Sequence, residues 1–214
     1  MPTMNNNNFF SKHLKENFLL YFFVTLFFAI GLSIGAFMSK GLDTNSKQSV
    51  LVYINNFFQI VGNENVDTSS IFIRSLKNNG QTLLLILILC ITYIGVPLIF
   101  IFDAFKGFIL GFTISFCLQT MGYKGLLFLF ITVIPQNVIY IPCLIVASAI
   151  AIEHGFWIYK KNIQKSSFLK QKNGLLDITL VFIFLFLIML VGSLYESFVV
   201  PFILKSLSGY LIIQ

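Results

Sequence analysis

Apolar and polar positions fall in long blocks along this chain. Apolar stretches cover about 18–38, 82–102, 107–121, 125–151 and 175–199, with lysine, asparagine and glycine gathered between them. A helix rises about 1.5 Å per residue and the hydrocarbon core of a bilayer is about 30 Å thick, so blocks near 20 residues match one crossing. The pattern predicts an all-α polytopic membrane helix bundle with about five transmembrane helices.

The polar segments supply the frame. Residues 1–17 read as a cytoplasmic tail and 18–214 as a single membrane domain. The segment 40–81 is an outer loop. Within it Val50, Ile54, Phe57, Phe58 and Val61 recur at helical spacing, which predicts a short amphipathic helix too short to cross, lying at the surface or on a partner. A second short helix is expected to start at Asp67-Thr68-Ser69-Ser70, with Asp67 or a neighbour as its N-cap, and to lead into the next span. Residues 153–174 form a basic loop with Lys160, Lys161, Lys165, Lys170 and Lys172. Basic loops stay cytoplasmic, so the chain is expected to run N-in and C-out, with Lys12, Lys15 and Lys106 on the same inner side.

The spans contain polar breaks. Pro135 has no N–H for the carbonyl of Ile131, so the fourth span should bend there. Gln136 and Asn137 follow, near the bilayer midplane, where lipid answers neither the amides nor the freed carbonyl. Their partners must come from other helices or a wet crevice. Pro142 marks a second bend nearly on the same face. Gly95-Val96-Pro97 interrupts the second span, and Asp103 with Lys106 reads as a turn pair between spans two and three. Gly31, Gly35 and Ser39 in the first span, and Gly107, Gly111 and Ser115 in the third, recur every four residues. Such stripes let backbones approach, and hold either the bundle itself or a partner's helix. The tail beyond Pro201 is too short to cross and is expected at the interface.

Composition removes the soluble classes. The chain is 57% hydrophobic and 10% charged, with a mean hydropathy of +0.88, against about 25% charged residues in soluble domains. The net charge of +6 therefore sets topology and is not a nucleic-acid footprint. The apolar run 18–38 is longer than a signal-peptide core and is expected to stay attached as a first span. Cys90, Cys117 and Cys143 lie in apolar runs as buried thiols. Glu153-His154 lacks a second histidine at ligand spacing, Ser193 lacks a nucleophile-elbow pattern, and there is no phosphate-binding loop. No catalytic, cofactor or metal site is expected. Glu196, in an apolar run at the end of the fifth span, is an interfacial carboxylate, a structural pair or a proton relay.

Taken in order, several motifs carry a resemblance. They are Lys15-Glu16-Asn17, Asn79, Gly95-Val96-Pro97, Lys106-Gly107, Gly111-Phe112, Pro135-Gln136-Asn137 with Pro142, and Glu196-Ser197-Phe198 ahead of Pro201. The series resembles the stage II sporulation protein M family across nearly the whole chain. The resemblance implies a non-enzymatic membrane scaffold in endospore formation, in the mother-cell membrane at the septum and the engulfing membrane. It implies as partners stage II sporulation proteins D and P, the peptidoglycan hydrolases that thin the septal wall. Membrane lipid is the other expected partner, no nucleic acid is, and self-association stays open. The competing reading is a transporter or permease subunit with its substrate path at Pro135.

Overall fold

The long apolar blocks fold as helices, since only internal backbone pairing survives in a bilayer core. The computed structural model describes residues 17–43, 67–164 and 175–211, with isolated positions 48, 52 and 56. Its elements are α1 (Phe18–Lys40), α2 (Thr68–Cys90), α3 (Gly95–Thr132), α4 (Ile134–Gln164), α5 (Leu175–Leu194), a π-helical turn (Tyr195–Val199) and α6 (Val200–Leu211). No strand occurs among the described residues. Among the described residues, four helical stretches are long and apolar enough to cross a membrane: Phe18–Lys40, Gly95–Thr132, Ile134–Lys160 and Leu175–Ser206. α2 also has 23 residues, but Arg74, Lys77, Asn78 and Asn79 occupy its first half. Its N-terminus is capped by Asp67, whose carboxylate accepts from the backbone N–H groups of Ser69 and Ser70.

The structure corrects several boundaries. The expected span 82–102 is divided between α2 and α3, which meet through a tight turn at residues 91–94. Pro97 sits in the first turn of α3, where its missing N–H leaves no intrahelical bond unmade. Gly95 packs so closely on the end of α2 that a Cβ would overlap the Leu89 carbonyl. The motif therefore starts a helix instead of interrupting one. Nor do Asp103 and Lys106 form a solvated turn, because α3 runs straight through them and Asp103 is fully buried. Two charges in sequence suggest water, but here one helix face turns them toward polar groups inside the bundle. α4 continues to Gln164, so the first part of the expected loop 153–174 is helical. Lys165, Lys170 and Lys172 lie outside the described residues, as does nearly all of the amphipathic segment in the outer loop.

α3 is itself folded back. At Gly122 the backbone takes φ 55° and ψ −126°, outside helical values, and the chain reverses. The arms then lie backbone to backbone, so that a Cβ on Gly125 would overlap the Cys117 carbonyl.

Below that reversal, α1 and α3 run parallel in close contact. Gly31 meets Ala104, Gly35 meets Phe108, and Gly107 and Gly111 meet Phe28 and Leu32, each at a distance that excludes a side chain. The seam ends at Ser39 and Ser115, whose hydroxyls are 2.6 Å apart, with the Gln119 amide on both. The two small-residue stripes are thus consumed by each other and hold the bundle. α4 returns antiparallel along α3, with Ser148 opposite Asp103 and Gly155 opposite Val96. α2 and α5 are antiparallel as well, pairing Ser75 with Ser193 and Gly80 with Phe186. Val24, Ile86, Ile99, Ala147, Ile152 and Met189 fill the shared core. Large apolar side chains such as Phe22, Ile101, Val138 and Leu180 are exposed on the outside, the surface that lipid requires.

Candidate functional site

Two prolines interrupt the regular backbone hydrogen bonding of two helices. The first bend lies at Val133, between α3 and α4, with Pro135 in the opening turn of α4. The carbonyl of Ile131, which Pro135 cannot serve, accepts the Tyr195 hydroxyl at 3.0 Å. A partner from another helix thus meets the expected deficit. The Val133 carbonyl accepts both the backbone N–H of Asn137 at 3.3 Å and its side-chain Nδ2 at 2.8 Å. Asn137 therefore seals its own turn. α4 is continuous through Pro142.

The second proline, Pro201, has no N–H for the carbonyl of Ser197. Ahead of it the helix widens into the π turn Tyr195–Val199, a local adjustment that recurs at functional sites. The Ser197 hydroxyl donates back to the carbonyls of Ser193 and Leu194. The extra residue in this turn aims Tyr195 at the first bend and Glu196 at α2 and α4.

Glu196 is held by hydroxyls from two other helices. Its Oε2 accepts from Ser75 Oγ at 2.6 Å and from Tyr140 Oη at 3.2 Å. Ser193 Oγ lies 3.1 Å from Ser75 Oγ and 3.2 Å from Tyr140 Oη, and Asn79 Nδ2 donates to it at 3.3 Å. One network thereby joins α2, α4, α5 and the π turn. Each member answers a cost that lipid cannot, because an unpaired polar group in hydrocarbon is expensive.

Beside the network lies a cavity of about 390 Å³, whose polar wall includes Asn78, Thr82, Lys106, Gln136, Asn137 and Glu196. The Lys106 ammonium sits over the Phe102 ring, 5.5 Å from its centre. Gln136 turns inward, and its Oε1 is buried without a hydrogen bond. On the other side of the bend an apolar groove of about 400 Å³ shares Leu110, Val133, Asn137 and Ile141 with the cavity. Ile134, Val138 and Pro142 extend its wall.

A separate polar pair lies deeper in α3. Ser148 Oγ donates to Asp103 Oδ1 at 2.9 Å, while Oδ2 is buried without a partner. His154 is buried and stacked on Trp157, with ring centres 5.6 Å apart. Cys90, Cys117 and Cys143 are buried free thiols.

The site residues legible in the sequence therefore separate into groups. Gln136, Asn137, Lys106 and Glu196 line one cavity, with Pro135 in the helix turn beside it and Pro201 behind the π turn. Gly107, Gly111 and Ser115 belong to the α1 seam, Pro142 to the groove, and Gly95 and Pro97 to the opposite end of α3. Sequence reasoning missed Ser75, Tyr140, Ser193 and Tyr195. A signal was present in Ser75, Asn79 and Thr82, which at spacing i, i+4, i+7 form a polar stripe on one face of α2.

Compared with known proteins, residues 24–201 match a family model described as Stage II sporulation protein M. That range runs from within α1 through Pro201 and so includes the whole cavity. No curated protein and no solved structure matches the chain.

Proposed function

The chain belongs to the stage II sporulation protein M family, whose role is in sporulation, and from that premise we propose that it is a non-enzymatic membrane platform. It assembles and localises stage II sporulation proteins D and P, the hydrolases that thin septal peptidoglycan during engulfment. It acts in the mother-cell membrane, N-terminus inside and C-terminus outside, with α2 making the return crossing that lets α1 and α3 run parallel. Lys106 lies within α3 and no longer counts toward orientation. The lysines between 160 and 172 still favour a cytoplasmic position for the connection between α4 and α5.

The observation that supports the platform is the bracing of the two bends. The groups that would otherwise be free for chemistry, Glu196 and Tyr195, are engaged with Ser75, Tyr140 and the Ile131 carbonyl. Interactions of this kind fix bent helices in one arrangement and give partners a constant surface. Photocrosslinkers at the exposed positions Val52 and Asn56 of the outer segment, read during sporulation, test the reading. Crosslinks to the two hydrolases are expected. Functional protein that never captures either hydrolase would refute it.

The cavity favours a second reading, a transport subunit, because broken helices that enclose polar groups bind substrates in many transporters. A Gln136→Leu, Asn137→Leu double variant separates the two. Loss of folding or assembly fits the platform; a folded, assembled but inactive protein fits transport.

A further inference from the structure

The polar cavity and the apolar groove form two halves of one amphiphilic site. The cavity holds the charges Lys106 and Glu196 together with the amides of Asn78 and Gln136. The groove beyond the Val133 bend is lined by Leu110, Ile114, Ile134, Val138 and Ile141. Asn137 and Val133 stand at the join and line both. A ligand that fits both halves has a polar end and an aliphatic chain.

The charges narrow the polar end. Lys106 and Glu196 are the charged side chains in the cavity wall, and neither takes the other as its partner. The ammonium lies over Phe102, while Glu196 is held through one carboxylate oxygen by Ser75 and Tyr140. With one positive and one negative group, the cavity complements a headgroup that carries both signs. A net-anionic headgroup would leave Glu196 opposed, and a net-cationic one would leave Lys106 opposed, each costly in a low-dielectric site. The Glu196 carboxylate, bonded to Ser75 and Tyr140 through Oε2, offers its other oxygen as an acceptor, and the unpartnered Gln136 Oε1 is a second one. They call for N–H donors, which a primary ammonium has and a quaternary ammonium lacks.

We propose that the chain binds one phospholipid with a primary-ammonium zwitterionic headgroup. Its phosphate lies toward Lys106, its ammonium toward Glu196 and Gln136, and an acyl chain occupies the groove at the Pro135 bend. The site is independent of the platform reading, since it concerns lipid and not the hydrolases.

The full chain, delipidated in detergent, is titrated with phosphatidylethanolamine, phosphatidylcholine or phosphatidylglycerol in mixed micelles, and retained lipid is counted by native mass spectrometry. One phosphatidylethanolamine per chain is expected, held about tenfold or more tightly than either other lipid. Lys106→Gln and Glu196→Gln should each lose most of that preference. Val138→Trp fills the groove from an exposed, lipid-facing position and leaves the core untouched. It should weaken the lipid about tenfold while the protein stays monodisperse. Equal retention of the three lipids, or an affinity for phosphatidylethanolamine unchanged in the folded Val138→Trp protein, overturns the proposal. So does competition by soluble glycerophosphoethanolamine as effective as by the lipid, which would assign the cavity to a free small molecule.

Discussion

Replacing Tyr195 by phenylalanine removes one hydroxyl and leaves the ring in place. What it exposes is the Ile131 carbonyl, which Pro135 cannot serve and which Tyr195 reaches at 3.0 Å. A buried acceptor left without a partner costs about 1–3 kcal/mol. Side-chain hydrogen bonds measured inside membrane proteins average near 0.6 kcal/mol and reach about 1.7, because the unfolded chain in the membrane also finds partners. For a carbonyl at a proline break the expected loss is therefore about 1–1.5 kcal/mol. The mechanism makes a sharper demand. In a Pro135→Ala background the backbone regains an N–H that can serve Ile131, so Tyr195→Phe should then cost only about 0.3 kcal/mol, a coupling of about 1 kcal/mol. Reversible unfolding of the four proteins in mixed micelles, followed by circular dichroism, gives the cycle. Equal costs of Tyr195→Phe in the two backgrounds would refute the claim that this hydroxyl replaces the bond the proline removes.

Other outcomes follow from the same geometry. Gly111→Ile places a branched side chain where the Leu32 carbonyl sits, so α1 and α3 must part; a loss of about 3 kcal/mol or more and a fall in folded membrane yield are expected. Gly122→Val has room for its Cβ but must hold φ 55°, and should cost about 1–3 kcal/mol through backbone strain alone. Ser148→Ala strips the buried Asp103 carboxyl of its hydrogen bond and should destabilise by about 1–3 kcal/mol, largely recovered when Asp103→Leu is added. At the α2 N-terminus, the Ser70 hydroxyl beside Asp67 holds its carboxyl below the ordinary value of 3.8. A depressed carboxylate stabilises the helix end above its unfolded value and loses that effect as pH falls through the lower folded one. Amide exchange at Ser69 and Ser70, corrected for intrinsic rates, should therefore rise below about pH 3.8, and Asp67→Asn should abolish the dependence.

The class of fold could be read because block hydrophobicity reports the lipid-facing surface directly. The bend at Pro135 was equally legible, since a missing N–H is a local covalent fact. What the sequence hid was where charges stop meaning water. Asp103 and Lys106 look like a turn, and only the opposing Ser148 and the cavity explain them inside α3. The same holds for the stripes Gly31–Gly35–Ser39 and Gly107–Gly111–Ser115. Each was visible, but that they face one another depends on α1 and α3 running parallel, which the chain achieves by returning through α2 before α3 begins. At the cavity the prolines and Glu196 stood out, whereas the hydroxyls of Ser75, Tyr140 and Ser193 did not. Serine and tyrosine are ordinary in membrane helices, and their convergence on one carboxylate is a property of packing between helices distant in sequence.

The Pro135 bend turns its inner face away from the acyl chains of the surrounding bilayer and its opposite face toward them. Nitroxide labels at Gln136→Cys and Val138→Cys, each in a cysteine-free background and reconstituted in bilayers, measure this by collision with dissolved oxygen. Low oxygen accessibility at 136 and high accessibility at 138, where the native side chain is 66% exposed, is the predicted result. Equal, lipid-like accessibility at both positions would contradict it.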